Sequence, residues 1–250
     1  MRKTLVAMTA AIFMLTAGIA SADDTKVTLG VKMWSNKWEE KSEILGGGSS
    51  TTDMGSSLMV GPALNIRFPS NWFIGATYLK STKDYEQKDA ATGDTFAFER
   101  KDLDLTLGYM FSPQFGLFFG YKTIDAPATF KMAGISDFSV GTWKLKGPGI
   151  GILGNIPLGE SAALYGNLAL LKMKQEFVFS DQMAAFAGSS GIPSYDTVGA
   201  SLEIGLAMAF TQNLSANIGI KSQSFSGTDE FDTTYTDTFA GLTGGLNFTF

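Results

Sequence analysis

The chain of 250 residues contains no cysteine and no histidine. Without cysteine it can form no disulfide, bind no metal through a thiolate and carry no lipid on a cysteine. Without histidine it lacks the usual general base for a serine nucleophile and the commonest metal ligand. These absences predict a protein that is not an enzyme, holds no metal and needs no cofactor.

Long apolar runs are almost absent as well. The one exception runs from 5 to 20, follows Arg2 and Lys3, and ends in an Ala-Ser-Ala site. This pattern is typical of a cleaved secretory signal, and a retained membrane helix is the weaker alternative. We predict a signal peptide at 1–22 and a single domain at 23–250. No later apolar run approaches the ~20 residues of a spanning helix, so a membrane-spanning element would have to be a strand of a closed barrel.

Charged residues are few, at 17% of the chain, and acidic ones predominate, giving a formal net charge of −5. Loss of Arg2 and Lys3 with the signal would lower this charge to −7. Nucleic-acid binding depends on an excess of positive charge. No nucleic acid is therefore expected among the partners.

What the sequence has in abundance is alternation of apolar with small or polar residues. It is clearest from Ala240 to Phe250, where Leu242, Leu246 and Phe248 share one face with both ends. A period of two residues is that of a β-strand. A terminal amphipathic strand that ends in Phe resembles the carboxyl-terminal signature of Gram-negative outer-membrane β-barrels.

The resemblance implies a location and an architecture. It implies that Phe250, Phe248 and Leu246 form the signal that the barrel-assembly machinery recognises. It also implies that the protein lies in the cell outer membrane, among outer-membrane lipid and lipopolysaccharide. The resemblance names no partner for the surface loops.

Four polar triplets between strand-like segments predict tight turns at 69–71, 112–114, 159–161 and 211–213. Their centres, 70, 113, 160 and 212, are 43, 47 and 52 residues apart, which fits two strands and one long loop per repeat. With both chain ends on the periplasmic side, four short turns require ten strands. We predict an all-β, transmembrane, antiparallel up-and-down β-barrel of ten strands, with twelve or eight as alternatives.

The ten strands are predicted at 26–36, 57–68, 72–81, 98–111, 115–125, 144–158, 162–173, 196–210, 214–224 and 236–250. The segment 174–195 could hold further strands, but is interpreted as a strand extension into a loop. Loop one, which carries Trp38 and the tract 46–50, is predicted to be a mobile surface loop.

Alternation also predicts which side chains face the lipid. The set comprises Val27, Leu29, Val31, Met33, Val60, Leu64, Ile66, Phe68, Leu103, Leu105, Leu107, Tyr109, Phe111, Leu117, Phe119, Tyr121, Ile150, Ile152, Ile156, Leu164, Leu168, Leu170, Leu202, Ile204, Leu206, Met208 and Phe210. No charge interrupts these faces. Pro62 and Pro148 fall on the same side within predicted strands, although proline cannot donate to a ladder. We expect the ladder to break at both, through a small local bulge in preference to a lateral opening of the barrel.

The inward face carries charges of both signs. Three-residue turns make residues face each other when their numbers add up to 226 or 424, which pairs Asp104 with Lys122 and Glu203 with Lys221. The predicted lumen charge cluster comprises Lys32, Arg67, Asp102, Asp104, Lys122, Glu203 and Lys221. The cluster could be a constriction that selects solutes, or a set of ion pairs that fills the lumen and fixes the register; the second is favoured.

Bulky residues such as Trp34 and Phe239 alternate with glycines on the inward face. They favour a packed interior over a semi-apolar passage. Ten strands should leave at most a narrow path, since eight are already filled by side chains. The leading functional hypothesis is a narrow passive conduit for small solutes, apolar ones included. The alternative is a structural or surface-interaction barrel with a plugged lumen and long recognition loops.

Overall fold

The computed structural model describes residues 25–89, 92–132 and 137–250. The predicted signal peptide at 1–22 lies outside the described residues. The strands are β1 (Lys26–Ile44), β2 (Ser49–Arg67), β3 (Trp72–Ser81), β4 (Tyr85–Lys88), β5 (Thr95–Phe98), β6 (Lys101–Met110), β7 (Phe115–Lys131), β8 (Phe138–Pro157), β9 (Ala162–Phe179), β10 (Gly191–Ala209), β11 (Leu214–Thr228) and β12 (Thr233–Thr249). One short helix, α1 (Asp181–Ala187), lies between β9 and β10.

Ten of these strands form a closed antiparallel barrel, as predicted. Each pairs with its neighbours in the order β1, β2, β3, β6, β7, β8, β9, β10, β11 and β12, and β12 returns to β1. The short strands β4 and β5 form an extra hairpin, which joins the sheet where β5 pairs with β7 above β6. Within the described part of the chain, no helix is long and apolar enough to cross a membrane.

The four predicted turns are all present. In the first, the Phe68 N–H donates to the Trp72 carbonyl oxygen at 2.9 Å, and the other three close in the same way. Asn71 completes the first turn with a φ of 65°, a left-handed conformation that asparagine tolerates better than most residues. Because each of these turns has only three residues, it fixes the register of the two strands that it joins.

At the end of the barrel away from the four short turns, the strands continue well beyond the limits that we predicted. The first hairpin runs to Ile44 and resumes at Ser49, so the predicted mobile loop is wrong and only four residues join the strands. The row of charges from Lys37 to Lys41 looks like a solvated loop in the sequence. In the structure this stretch is part of β1 and contains a register shift between Lys37 and Glu39, and Trp38 points inward and is buried.

The segment 174–195 extends its two strands, as predicted, and adds no further strand. β9 reaches Phe179, and α1 then begins after Ser180, whose side-chain oxygen accepts from the Met183 N–H at 3.2 Å. Gly188 ends the helix in a left-handed conformation. This helix was not predicted.

The predicted lipid face is largely confirmed. Mid-strand members such as Leu107, Phe119 and Ile150 are exposed on the outside of the barrel. Val27 is an exception at 1% exposure. It lies at the start of β1, where the Phe250 N–H donates to its carbonyl oxygen. The outer surface is therefore a band of apolar side chains, which matches a membrane-spanning wall.

Both prolines interrupt the ladder on one side only. The pairing of β2 with β3 lacks the positions of Gly61 and Pro62, and the pairing of β8 with β9 lacks those of Gly147 and Pro148. The register is the same above and below each interruption. A Cβ atom on Gly61 would collide with the Tyr78 carbonyl oxygen, so the strands remain in close contact there.

The turn at Asn71 provides a test of the fold. We expect Asn71→Val to destabilise the barrel by about 1 kcal/mol, because a β-branched residue disfavours positive φ, and Asn71→Gly to leave stability nearly unchanged. Urea unfolding of the lipid-refolded protein, followed by tryptophan fluorescence, measures both. Ser70→Val in the same turn is the control, and an equal loss at both positions would contradict the conformational explanation.

Candidate functional site in the lumen

The predicted cross-strand registers are confirmed. Asp104 lies opposite Lys122 on β6 and β7, and Glu203 lies opposite Lys221 on β10 and β11. All four side chains point inward, because each is an even number of residues from buried positions on its own strand. The short turns thus bring acidic and basic residues together inside the barrel.

The first group of charges is a continuous network formed by residues of β6 and β7 together with Arg100, which immediately precedes β6. The Arg100 guanidinium donates two parallel hydrogen bonds of 2.7 Å to the Asp102 carboxylate. The Lys122 ammonium donates to Asp102 at 3.1 Å and to Asp104 at 2.8 Å. Arg100 also donates to the side-chain oxygen of Gln223 at 3.1 Å, which connects the network to β11. Both aspartates are thus held by cations.

The second group corrects one predicted contact. Glu203 accepts from the Lys32 ammonium at 2.7 and 2.9 Å and forms no ion pair with Lys221, its register neighbour. Lys221 instead places its ammonium 4.9 Å from the ring centre of Trp34. Because β11 and β12 separate β10 from β1, the Lys32–Glu203 pair spans the lumen. A rule that compares adjacent strands misses such a contact.

Two further differences from the predicted cluster concern arginines. Arg67 lies half-buried near the periplasmic end of β2 and forms no ion pair within the described residues. Arg100 was missed, although it shares the inward parity of Asp102 and Asp104. The parity signal would have found it, because the strand predicted at 98–111 already contains this position.

An aromatic layer lies against the charged layer on the side of the long strand extensions. Trp38 contacts the rings of Phe239, Trp143 and Tyr85 at centroid distances of 5.1, 5.5 and 5.7 Å. The Arg100 guanidinium stands 3.7 Å from the ring centre of Phe239 and so joins the two layers. Stacking of a planar cation on an aromatic face stabilises such a junction.

Together the two layers fill the lumen. At their level the exposed fractions are 0% for Trp34 and Arg100, 3% for Lys122 and Glu203, and 7% for Lys221. This arrangement matches the packed interior that the sequence favours. Nearer the periplasmic turns, the inward side chain of Asn65 is exposed, whereas those of Phe73 and Met110 are buried. We call the charged and aromatic layers together the plug.

Above the plug, the outer mouth is acidic. Glu40 lies directly opposite Asp237 on β1 and β12, and the Trp38 indole N–H donates to one Asp237 oxygen at 2.8 Å. Burial raises the pKa of Glu40 above its usual value. At the nearby turn after β11, Asp229 accepts from the N–H groups of Phe231 and Thr233, and so shapes the turn.

Comparison with known proteins gives the fold its context. No protein-family model and no curated protein matches the chain. The outer membrane protease OmpT of Escherichia coli is similar in structure, with a TM-score of 0.60 and 14% identity over 92% of this chain and 98% of that one. OprG of Pseudomonas aeruginosa has a TM-score of 0.39 and 14% identity, over 88% of this chain and 96% of that one. The toluene transporter TodX of P. putida has a TM-score of 0.37 and 9% identity, over 92% of this chain and 90% of that one.

At these identities the comparisons show the fold alone. The fold is that of the Gram-negative outer-membrane β-barrels, with ten strands and a lipid-facing apolar band. The outer-membrane location remains an expectation from the terminal strand and the apolar band, and the comparisons name no subfamily.

The plug makes a prediction about stability. We expect Asp102→Leu to destabilise the barrel by about 3–5 kcal/mol, because it leaves the buried Arg100 and Lys122 without their shared carboxylate. Lys37→Gln, at an exposed ion pair with Glu39, should leave the unfolding curve unchanged. Guanidinium unfolding in lipid vesicles measures both variants. Equal small effects would show that the network contributes nothing beyond a surface pair.

Proposed function

We propose that this protein is a non-enzymatic outer-membrane barrel with a closed lumen, which acts through its outer surface. The observation that carries the proposal is the plug, whose charged and aromatic side chains fill the interior at one level. The proposal adopts the surface-interaction hypothesis in preference to the narrow conduit. A conduit would need a water-filled path past Lys122 and Glu203, and both are almost fully buried.

The contacts within the plug favour a permanent closure. To open a path, the Arg100–Asp102 pair would have to lose two hydrogen bonds of 2.7 Å and a ring contact with Phe239. The Lys32–Glu203 pair, which spans the lumen, would also have to separate. Breaking buried pairs of this kind is costly because each charge is left without a partner. The plug therefore stabilises the closed form.

The outer rim supports a role in contacts with other molecules. Large apolar side chains stand in the tips of three connections: Leu45 after β1, Phe186 in α1 and Phe231 after β11 are 81%, 87% and 73% exposed. A cleft of about 520 Å³ lies between the first and last of these tips. Exposed apolar groups far from the lipid band are typical of interaction surfaces.

Residue chemistry supports the non-enzymatic part of the proposal. The chain has no histidine to act as a general base. The two neighbouring carboxylates, Asp102 and Asp104, are both bound to Lys122 and lie inside the plug. They are held as a structural ion cluster in which Asp102 is buried and Asp104 is partly exposed.

Single-channel recording in a planar bilayer tests the closed lumen. We expect the folded wild-type protein to give no discrete conductance steps. Trp38→Gly combined with Phe239→Gly removes two rings from the aromatic layer and should give steps if the plug is the barrier. Folding of each sample is checked by its heat-modifiable mobility on gels.

A second pair of substitutions identifies a conduit if there is one. Reproducible wild-type steps that change with Glu203→Gln and Lys221→Met together would overturn the closed-lumen proposal. Those steps would place the conducting path at the charged layer. The absence of conductance steps from the wild type and from the Glu203→Gln, Lys221→Met variant, together with steps from the Trp38→Gly, Phe239→Gly variant, supports the proposal.

A further inference from the structure

A group of lysines lies on the outside of the barrel, just above the apolar band. Lys146 on β8 and Lys174 on β9 are direct register partners, and Lys172 lies two residues from Lys174 on the same face. All three side chains are exposed. We call them the outer lysine group. Like charges placed directly opposite on neighbouring strands destabilise a sheet unless something neutralises them.

The group stands at the edge of the membrane. A tilted strand crosses the bilayer in about 9–11 residues, and Lys146 lies eleven residues from Pro157 at the periplasmic turn. Below it, the outward side chains of Ile150, Leu168 and Leu170 are exposed and apolar. The lysines therefore lie just above the apolar band, on the side of the long strand extensions. This is the level of the outer-leaflet headgroups.

The same barrel contains a second lysine pair of the same design. Lys80 on β3 and Lys101 on β6 are also direct register partners, nine and eleven residues from their periplasmic turns at 69–71 and 112–114. Here the Glu99 carboxylate lies between them, 2.7 Å from the Lys80 ammonium and 2.8 Å from that of Lys101. In this pair, a single oxyanion bridges the two opposed lysines.

The outer lysine group lacks such a bridging carboxylate. Glu176 reaches Lys146 alone, at 3.2 Å. Within the described part of the chain, neither Lys172 nor Lys174 forms an ion pair, although Asp196 is a register partner of Lys174 on its other side. The group therefore keeps an excess of positive charge at the membrane edge.

We propose that the outer lysine group binds a phosphate of an outer-leaflet lipid headgroup, held between Lys146 and Lys174 beside the Glu176 carboxylate. Lys172 supplies a third cation from below. The apolar side chains beneath the group would contact the acyl chains of the same lipid. This site rests on the outer-membrane location and is independent of whether the lumen is closed.

Lipid A with both phosphates is the probe for this site. The full-length protein, expressed in a Gram-negative host and purified from its outer membrane, is exchanged into detergent and titrated with fluorescent lipid A. We expect Lys146→Gln with Lys174→Gln to weaken binding about tenfold, since each lysine near an anionic headgroup contributes on the order of a few-fold. Lys146→Arg with Lys174→Arg should retain binding.

The matched control is Lys80→Gln with Lys101→Gln, which removes the same charge from the other opposed pair, a few residues nearer the periplasmic turns. It should leave lipid A binding close to the wild-type value, because Glu99 already occupies that pair. Equal weakening by both double variants would overturn the site and indicate a general effect of net charge. Lys172→Gln alone should cause a smaller loss in the same direction as the double change.

Two further arms identify the source of the phosphate. Lipid A stripped of its phosphates should bind the wild type and the Lys146→Gln, Lys174→Gln variant equally weakly. A large excess of inorganic phosphate should displace little of the intact lipid, because a lipid site also uses the apolar band. Complete displacement by inorganic phosphate would overturn the lipid assignment in favour of a soluble anion.

Discussion

Every backbone polar group of the spanning wall must find its partner within the protein, because the lipid offers none. A closed antiparallel barrel meets this constraint only if the register is maintained around the ring, and the four three-residue turns set it for four of the ten strand pairs. With the register fixed, side-chain parity follows on every strand. The charges of the lumen and the apolar groups of the exterior are both consequences of this one requirement.

Filling the lumen has its own requirements. Cations and carboxylates inside a barrel lose water, so each needs partners of opposite charge and further hydrogen bonds. The network of Arg100, Asp102, Lys122 and Asp104 meets this requirement on neighbouring strands, and the Lys32–Glu203 pair meets it across the lumen. The aromatic layer excludes water above them. Charge and aromatic packing thus depend on each other.

Much of this fold could be predicted from alternation and turns. Ten strands, four turns and the pairing of Asp104 with Lys122 follow from local rules. What could not be predicted depends on contacts between strands that are not adjacent. The partner of Glu203 lies three strands away around the barrel, and Trp38 lies in a stretch of charges that resembles a surface loop. Its burial follows from the sheet continuing above the membrane, where Trp38 keeps the inward parity of Trp34.

The seam between β1 and β12 joins the first and last strands of the barrel. Trp38 and Phe239 are register partners across this seam, and the Trp38 indole also binds Asp237 of β12. The two strands therefore cannot meet without bringing the rings together. Ring closure and packing of the interior become one cooperative event, and an unsealed barrel would also be one with an unfilled centre.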